Sequence, residues 1–227
     1  AAAPAVWSKR TRFVLCQNGW GNAEIFARRL PPSQIYNARV ITGFCRPRPY
    51  QVEITVHADT VRMGSLLGGE PQALEPIAAA LDRGGFPCQV TDSIGRDLWA
   101  KMLYNCMLNG LSTLFGVPYG VLGESPHASD LMDRLAGEVF GVMQAAGHVT
   151  HWANVEDYLA VFYGTQLPAT YQHEPSMLQD VRAGKRTEVE ALNGEIVRLG
   201  ETLARPVPIN HAVRQMIRFL EERNSWA

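Results

Sequence analysis

The run Asp97-Leu98-Trp99-Ala100-Lys101-Met102-Leu103-Tyr104-Asn105-Cys106-Met107-Leu108-Asn109 is where the chain changes character. At helical spacing Leu98, Trp99, Met102, Leu103, Cys106, Met107 and Leu108 cover nearly every direction, which predicts a helix that is mostly buried. The direction left over is a stripe of Lys101, Asn105 and Asn109, stacked on one face by their i, i+4 spacing. An ordinary amphipathic helix would turn such a stripe to water. In a buried helix, an unpaired ammonium or amide costs kilocalories, so the three residues need partners and read as a ligand-binding stripe. Desolvation disfavours a charged lysine and lowers its pKa, which suits Lys101 to donate a proton to a carbonyl oxygen. Asparagine amides bind a carboxylate or hydroxyl without adding charge.

Working outward from that run, the downstream half is predicted to be all helix. The first helix spans Arg96 to Leu114, and Ser125-Pro126 offers an N-cap and N1 proline for a second that ends near Ala146. A shorter helix follows over Trp152 to Phe162, and another over Pro175 to Ala183, which Ser176 could cap. Thr187-Glu188-Val189-Glu190 has the capping-box pattern and precedes an apolar stripe of Val189, Leu192, Ile196, Leu199 and Leu203. The last helix runs from Asn210 to Glu222. Upstream the pattern is short and β-rich: Phe13 to Cys16, Arg39 to Thr42, Val52 to Val56 and Cys88 to Thr91 read as strands. Helices over Asn22 to Leu30 and Pro71 to Arg83 interrupt them, and alternation restarting at His57 to Thr60 suggests a hairpin there. The division is an α/β segment, residues 1–93, and an all-α segment, residues 94–227.

Composition narrows the partners. Lys plus Arg number 21 and Asp plus Glu 22, so no positive excess drives binding to phosphate backbones or anionic membranes. Cys16, Cys45, Cys88 and Cys106 lie far apart in mostly apolar surroundings and read as reduced core residues. No apolar run is long enough to span a membrane, and Ala1 to Ala5 lacks the regions of a signal peptide, so the expected compartment is the cytoplasm. His148, His151 and His173 lack the carboxylate or cysteine partners of a metal site and read as surface or capping residues, and no metal is expected. Gln17-Asn18-Gly19-Trp20-Gly21-Asn22 stands between a strand and a helix, the place where α/β sheets meet their ligands. Gly19 and Gly21 imitate a dinucleotide fingerprint, but Glu24 takes the place of its third glycine.

The Gln17-Asn18-Gly19 loop, the Lys101, Asn105, Asn109 helix, the run Ser176-Met177-Leu178-Gln179-Asp180, and Gly184 through Glu188 to Asn193-Gly194 occur in order. Together they resemble the ketopantoate reductases, from about Phe13 to Ile217. The resemblance implies a Rossmann-type cofactor domain, represented here by a remnant, followed by a helical substrate domain. It implies reduction of 2-dehydropantoate to pantoate with NADPH, in pantothenate biosynthesis, and it is compatible with a homodimer. Lys101 then corresponds to the general acid, and Glu188 to the residue that positions substrate and organises the lysine. Asn105, Asn109 and Ser176 correspond to substrate-binding residues, and Asn18 to one between cofactor and substrate. Two departures stand out. Tyr119 replaces an asparagine common in the family, which bears on substrate scope. The glycine-rich strand, turn and helix that open the family's cofactor domain are not in the chain; at about 30 residues per βαβ unit, roughly 90 residues would precede it. Two alternatives stay open: a dehydrogenase of another 2-oxo or 3-hydroxy acid, and a non-catalytic remnant serving as an interaction or dimerisation module.

Overall fold

The computed structural model describes residues 8–224, leaving aside the side chains of Cys45, Arg46, Thr55, Val56 and Ala58. The readings made of the Ala1 to Ala5 start and of the Cys45 thiol lie outside the described residues. The chain forms two compact units: residues up to Gln17 with Gly21–Asp97, and Asn18–Trp20 with Leu98 onward.

The first unit is a mixed sheet with two helical crossovers. Strand β1 (Phe13–Leu15) is followed by helix α1 (Asn22–Ala27) and then by β2 (Ile35–Arg48), which pairs parallel to β1. Strand β3 (Gln51–Gly64) folds back antiparallel on β2, and helix α2 (Glu75–Arg83) leads to β4 (Cys88–Val90), parallel to β3. The sheet order is β1-β2-β3-β4. Strand periodicity divides the core. Ile35 goes with Leu15, Ala23 and Leu30, while Tyr36 and Ala38 go with Val61, Met63, Leu74 and Ala78.

The hairpin turn is not at His57 to Thr60, which lies inside β3; the chain reverses at Pro49 and Tyr50. Register shifts between Arg39 and Ile41, Ile41 and Thr42, and Gly43 and Phe44 interrupt the ladder, so the restarted alternation marks irregular pairing and not a turn. Buried Arg39 reaches Asp59 at 2.7 Å. Burial opposes the Asp59 charge, but the Arg39 hydrogen bond and charge outweigh it and hold the carboxyl below its ordinary pKa. Cys88 is buried and outside any disulfide, as is Cys106, whereas Cys16 is exposed and not a core residue.

Helix α3 (Ile94–Phe115) begins in the first unit and continues through the second. Trp99, Leu103, Cys106, Met107 and Leu108 are fully buried, as expected of a helix apolar in nearly every direction. Next come α4 (Tyr119–Glu124) and α5 (Pro126–Ala145), the latter capped by Ser125, whose side chain accepts from the Ala128 amide. Helix α6 (Val155–Val161) runs through a π turn, Phe162–Gln166, into α7 (Leu167–Ala169). The series closes with α8 (Ser176–Arg182), α9 (Asn193–Thr202) and α10 (Pro208–Asn224).

Two expected caps are not made. Helix α8 takes Pro175 as its N-cap and Ser176 as its first residue, without a side-chain cap. Thr187 does not open a helix: its backbone and hydroxyl both donate to Glu221 at 2.7 Å, and Glu190 turns to Arg214 and Arg218. With both members of the capping box drawn to α10, a 3-10 turn, Val189–Ala191, intervenes and α9 starts at Asn193.

A buried polar network fixes α3 against its neighbours. Asn193, fully buried, donates to the Cys106 carbonyl at 3.1 Å and to Asn210 Oδ1 at 3.0 Å. Glu138 of α5 accepts from the Ile209 and Asn210 amides at 2.8 and 2.9 Å, satisfying donors that the start of α10 leaves open.

Candidate active site

The residues that gather are those of the second unit's short N-terminal insert, α3 and the turn before α9. Lys101 Nζ donates to Asn18 Oδ1 at 2.5 Å. The amide nitrogen of the same asparagine donates to Glu188 Oε1 at 3.1 Å and Oε2 at 3.0 Å. Asn18 thus faces the ammonium with its carbonyl and the carboxylate with its NH2, each end matched to the charge it meets. All three side chains are half-buried. Buried partners would be sealed from a ligand; these stay reachable while being held in one arrangement.

The local backbone explains why the three meet. Glu188 caps the turn Val189–Ala191, its carbonyl accepting from the Ala191 amide at 3.0 Å. The carbonyl of Ala191 in turn accepts from the Trp20 amide at 3.2 Å. The turn that presents Glu188 therefore also anchors the loop that presents Asn18. Gly19 makes the approach possible: its φ is +93°, and a methyl there would lie 2.7 Å from Ala191 Cβ and nearer still to the Ala191 oxygen. Trp20 is buried with its ring centroid 4.8 Å from those of both Trp99 and His148. His148 packs on these rings and also caps α5, its backbone amide donating to the Met143 carbonyl at 3.0 Å, while His173 is exposed with its ring 5.1 Å from that of Tyr119.

The rest of the stripe differs residue by residue. Asn105, 7% exposed, has no side-chain hydrogen-bond partner among the described residues. Asn109, 4% exposed, accepts at 2.5 Å from the hydroxyl of Tyr119. Ser176 is exposed at the start of α8 and makes no hydrogen bond to any of these groups. Sequence reasoning noted Tyr119 only as a departure and did not connect it with Asn109. It missed Tyr104 altogether, whose hydroxyl lies 2.6 Å from Thr170 Oγ1 and whose pKa burial pushes up to about 12. A buried tyrosine hydroxyl usually finds a partner, and that was the available clue.

Residues 93–221 match the family model described as the C-terminal domain of ketopantoate reductase PanE/ApbA, a span that holds Lys101, Asn105, Asn109, Ser176 and Glu188. The chain belongs to the ketopantoate reductase family. Within that family, the 2-dehydropantoate 2-reductase of Aquifex aeolicus is 36% identical over 95% of this chain and 70% of its own length. The 2-dehydropantoate 2-reductase of Halobacterium salinarum is 30% identical over 90% of this chain and 66% of its own length. The chain thus spans about two thirds of these relatives. A family ketopantoate reductase from Ralstonia eutropha superposes with a TM-score of 0.78 at 27% identity, covering 93% of this chain and 67% of that one. A D-mandelate dehydrogenase solved with NADH and anilino(oxo)acetate has a TM-score of 0.87 at 23% identity, covering 97% and 71%, a likeness of fold. The Rossmann-like sheet followed by helices, expected from the sequence, is the architecture of these ketopantoate reductase relatives. Among the described residues, no helix is long and apolar enough to cross a membrane.

Proposed function

We propose that this chain is the substrate-binding and proton-donating part of a nicotinamide-dependent reductase acting on 2-dehydropantoate or a similar 2-oxo acid. The observation that carries the reading is the bridge from Lys101 through Asn18 to Glu188. A general acid must be held within hydrogen-bond reach of the oxygen it protonates, and a lysine tethered through a neutral amide to a carboxylate is held without being neutralised.

The residues present fit the reactive end of a dinucleotide. Asn18 lies in the loop after β1, and a strand's carboxyl end is where such ligands sit in parallel α/β pairs. When bound, the reduced nicotinamide supplies a hydride to the ketone carbon. Lys101 gives its proton to the ketone oxygen, so the carbonyl becomes a hydroxyl, and the neutral amine is then reprotonated from solvent. Glu188 holds Asn18, and through it Lys101, in place. Asn105 presents an uncommitted amide on the same face, suited to the substrate carboxylate. Asn109 and Ser176 are assigned to substrate, and Asn18 to the junction of cofactor and substrate. Residues 1–93 are read as the remaining part of a dinucleotide-binding domain and residues 94–227 as the substrate domain. Buried Cys88 and Cys106, neither in a disulfide, support a reducing, cytoplasmic setting.

The test is a fluorescence titration of the chain with NADPH and, in parallel, NADH, followed by ketopantoate. Saturable binding with oxidation on adding the acid supports the reading and decides between the two cofactors. A second arm fuses the chain behind the matching N-terminal segment of the Aquifex relative. Folded fusion protein that binds NADPH but oxidises it with none of a panel of 2-oxo acids would overturn the reading.

A further inference from the structure

Asn18 meets two charged partners through its side chain, yet the backbone that carries it has little stiffness of its own. The next residue is Gly19, at φ +93° and with no Cβ to limit its neighbours. The apolar anchor of the tripeptide is Trp20, whose indole is 8% exposed. Three parts of the helical unit converge on it. Trp99, two residues before Lys101 on α3, presents its ring at a centroid distance of 4.8 Å and a tilt of 36°. His148 stands at 4.8 Å and 59°, and is itself 5.5 Å from Trp99, so each ring of the three meets the other two. The Ala191 carbonyl accepts from the Trp20 amide at 3.2 Å, in the turn that Glu188 opens. Aromatic rings at such separations attract beyond the area they bury, and the indole cannot swing away without giving up both neighbours.

The place of His148 is set by the way α5 stops. Gly147 takes φ +75° and its amide donates to the Gln144 carbonyl at 3.0 Å, while the His148 amide donates to the Met143 carbonyl at 3.0 Å. These two bonds form a Schellman motif, which fixes where the chain leaves the helix and so where the imidazole stands. One tripeptide thus grips α3 at two places, through an indole on Trp99 and an amide on Lys101. The polar contact belongs to the bridge, and the apolar contact makes it rigid.

We propose that Trp20, seated against Trp99 and His148, is a positioning residue that holds the Asn18 amide in place between Lys101 and Glu188. It acts through Asn18. The seat is a property of the chain itself, whereas its bearing on catalysis rests on the reductase reading above.

The first measurement is made on the whole chain without ligand. Donation to Glu188 protects the Asn18 side-chain amide protons from exchange with water, and NMR reads that protection once their signals are identified by their absence from Asn18→Ala. Trp20→Ala should lower the protection about 10- to 100-fold, the worth of a hydrogen bond to a charged group. Trp20→Phe, which keeps a ring in the seat, should retain most of it, and His148→Ala, which removes one neighbour, should fall between. Phe162→Ala is the control: it deletes a fully buried ring that packs among Tyr104, Tyr158 and Tyr163, and it should leave Asn18 as protected as before. Unchanged protection in folded Trp20→Ala overturns the inference, as does an equal loss in Phe162→Ala; if Trp20→Ala does not fold, unchanged protection in His148→Ala overturns it. The second measurement uses the fusion protein described above. There Trp20→Ala should lower turnover about 10- to 100-fold in the native background and hardly at all in Asn18→Ala, because a residue that acts through Asn18 then has nothing left to position. Equal losses in the two backgrounds overturn the inference. A native fusion without turnover on any 2-oxo acid overturns the reductase reading instead, and leaves the exchange result to decide whether Trp20 holds Asn18.

Discussion

Replacing Gly19 by alanine should loosen the loop that carries Asn18, and the size of the effect can be worked from the backbone. Gly19 has φ +93°, where an L side chain costs on the order of 1–2 kcal/mol. The added methyl would also sit 2.7 Å from Ala191 Cβ and 2.9 Å from the Ala191 carbonyl carbon. Backbone cannot step aside as a flexible side chain can, so the 3.2 Å bond from the Trp20 amide to Ala191 should break, adding about 1 kcal/mol. The expected loss is therefore roughly 2–3 kcal/mol. Gly184→Ala is the control: its φ is +66°, but nothing lies within 4 Å of the added methyl, so only the roughly 1–2 kcal/mol conformational part applies. Denaturant unfolding followed by tryptophan fluorescence measures both, and Trp20, packed against Trp99 and His148, reports the loop directly. Equal losses in the two variants would refute the claim that the Ala191 contact, and not φ alone, demands glycine.

Three further outcomes are expected. Asn193→Ala removes the fully buried bonds to the Cys106 carbonyl and to Asn210 and should cost about 2–3 kcal/mol in urea unfolding; a loss under about 0.5 kcal/mol would mean that the network is replaceable. For Glu190, burial opposes the charge, but hydrogen bonds from Arg214 and Arg218 outweigh it and depress the pKa below 4.5. Its contribution to stability is therefore present above pH 4.5 and lost as pH falls through the folded value, so Glu190→Gln should flatten the acid limb of the stability profile, and an unaltered limb would rule the cluster out as its source. In a fusion supplied with a complete cofactor segment, Lys101→Ala should lower turnover about 100- to 10,000-fold with NADPH affinity nearly unchanged, and unaltered turnover would remove Lys101 from the chemistry.

Helix α3 was legible because a helix apolar all round and interrupted by one polar stripe has few other readings. The same i, i+4 logic placed Lys101, Asn105 and Asn109 on one face. What periodicity could not supply was the partner of each. Asn18 lies 83 residues from Lys101 and 170 from Glu188, and nothing in the local pattern of either announces the other. Thr187 to Glu190 read as a capping box because local chemistry favours one; the competing acceptor, Glu221, is 34 residues away on α10. The hairpin was misplaced for a related reason. Irregular pairing and a turn both reset the alternation of a strand, and only the register of β2 against β3 tells them apart. Cys16 was assigned to the core from apolar neighbours, yet it follows the last residue of β1, where the alternation that would have buried it ends.

Asn18, Gly19 and Trp20 belong to the helical unit although the residues on either side of them belong to the sheet unit. A single cut in the gene therefore cannot separate the two cleanly. A hybrid made by joining another protein's first half to this one near residue 93 would inherit Lys101 and Glu188 but take its bridging loop from the donor. Such a graft should work only where the donor loop brings both an asparagine and a glycine that tolerates the Ala191 carbonyl. Shuffling within this family is expected to succeed or fail at a tripeptide far from the junction, and libraries built on one crossover should carry that tripeptide as a second, linked cassette.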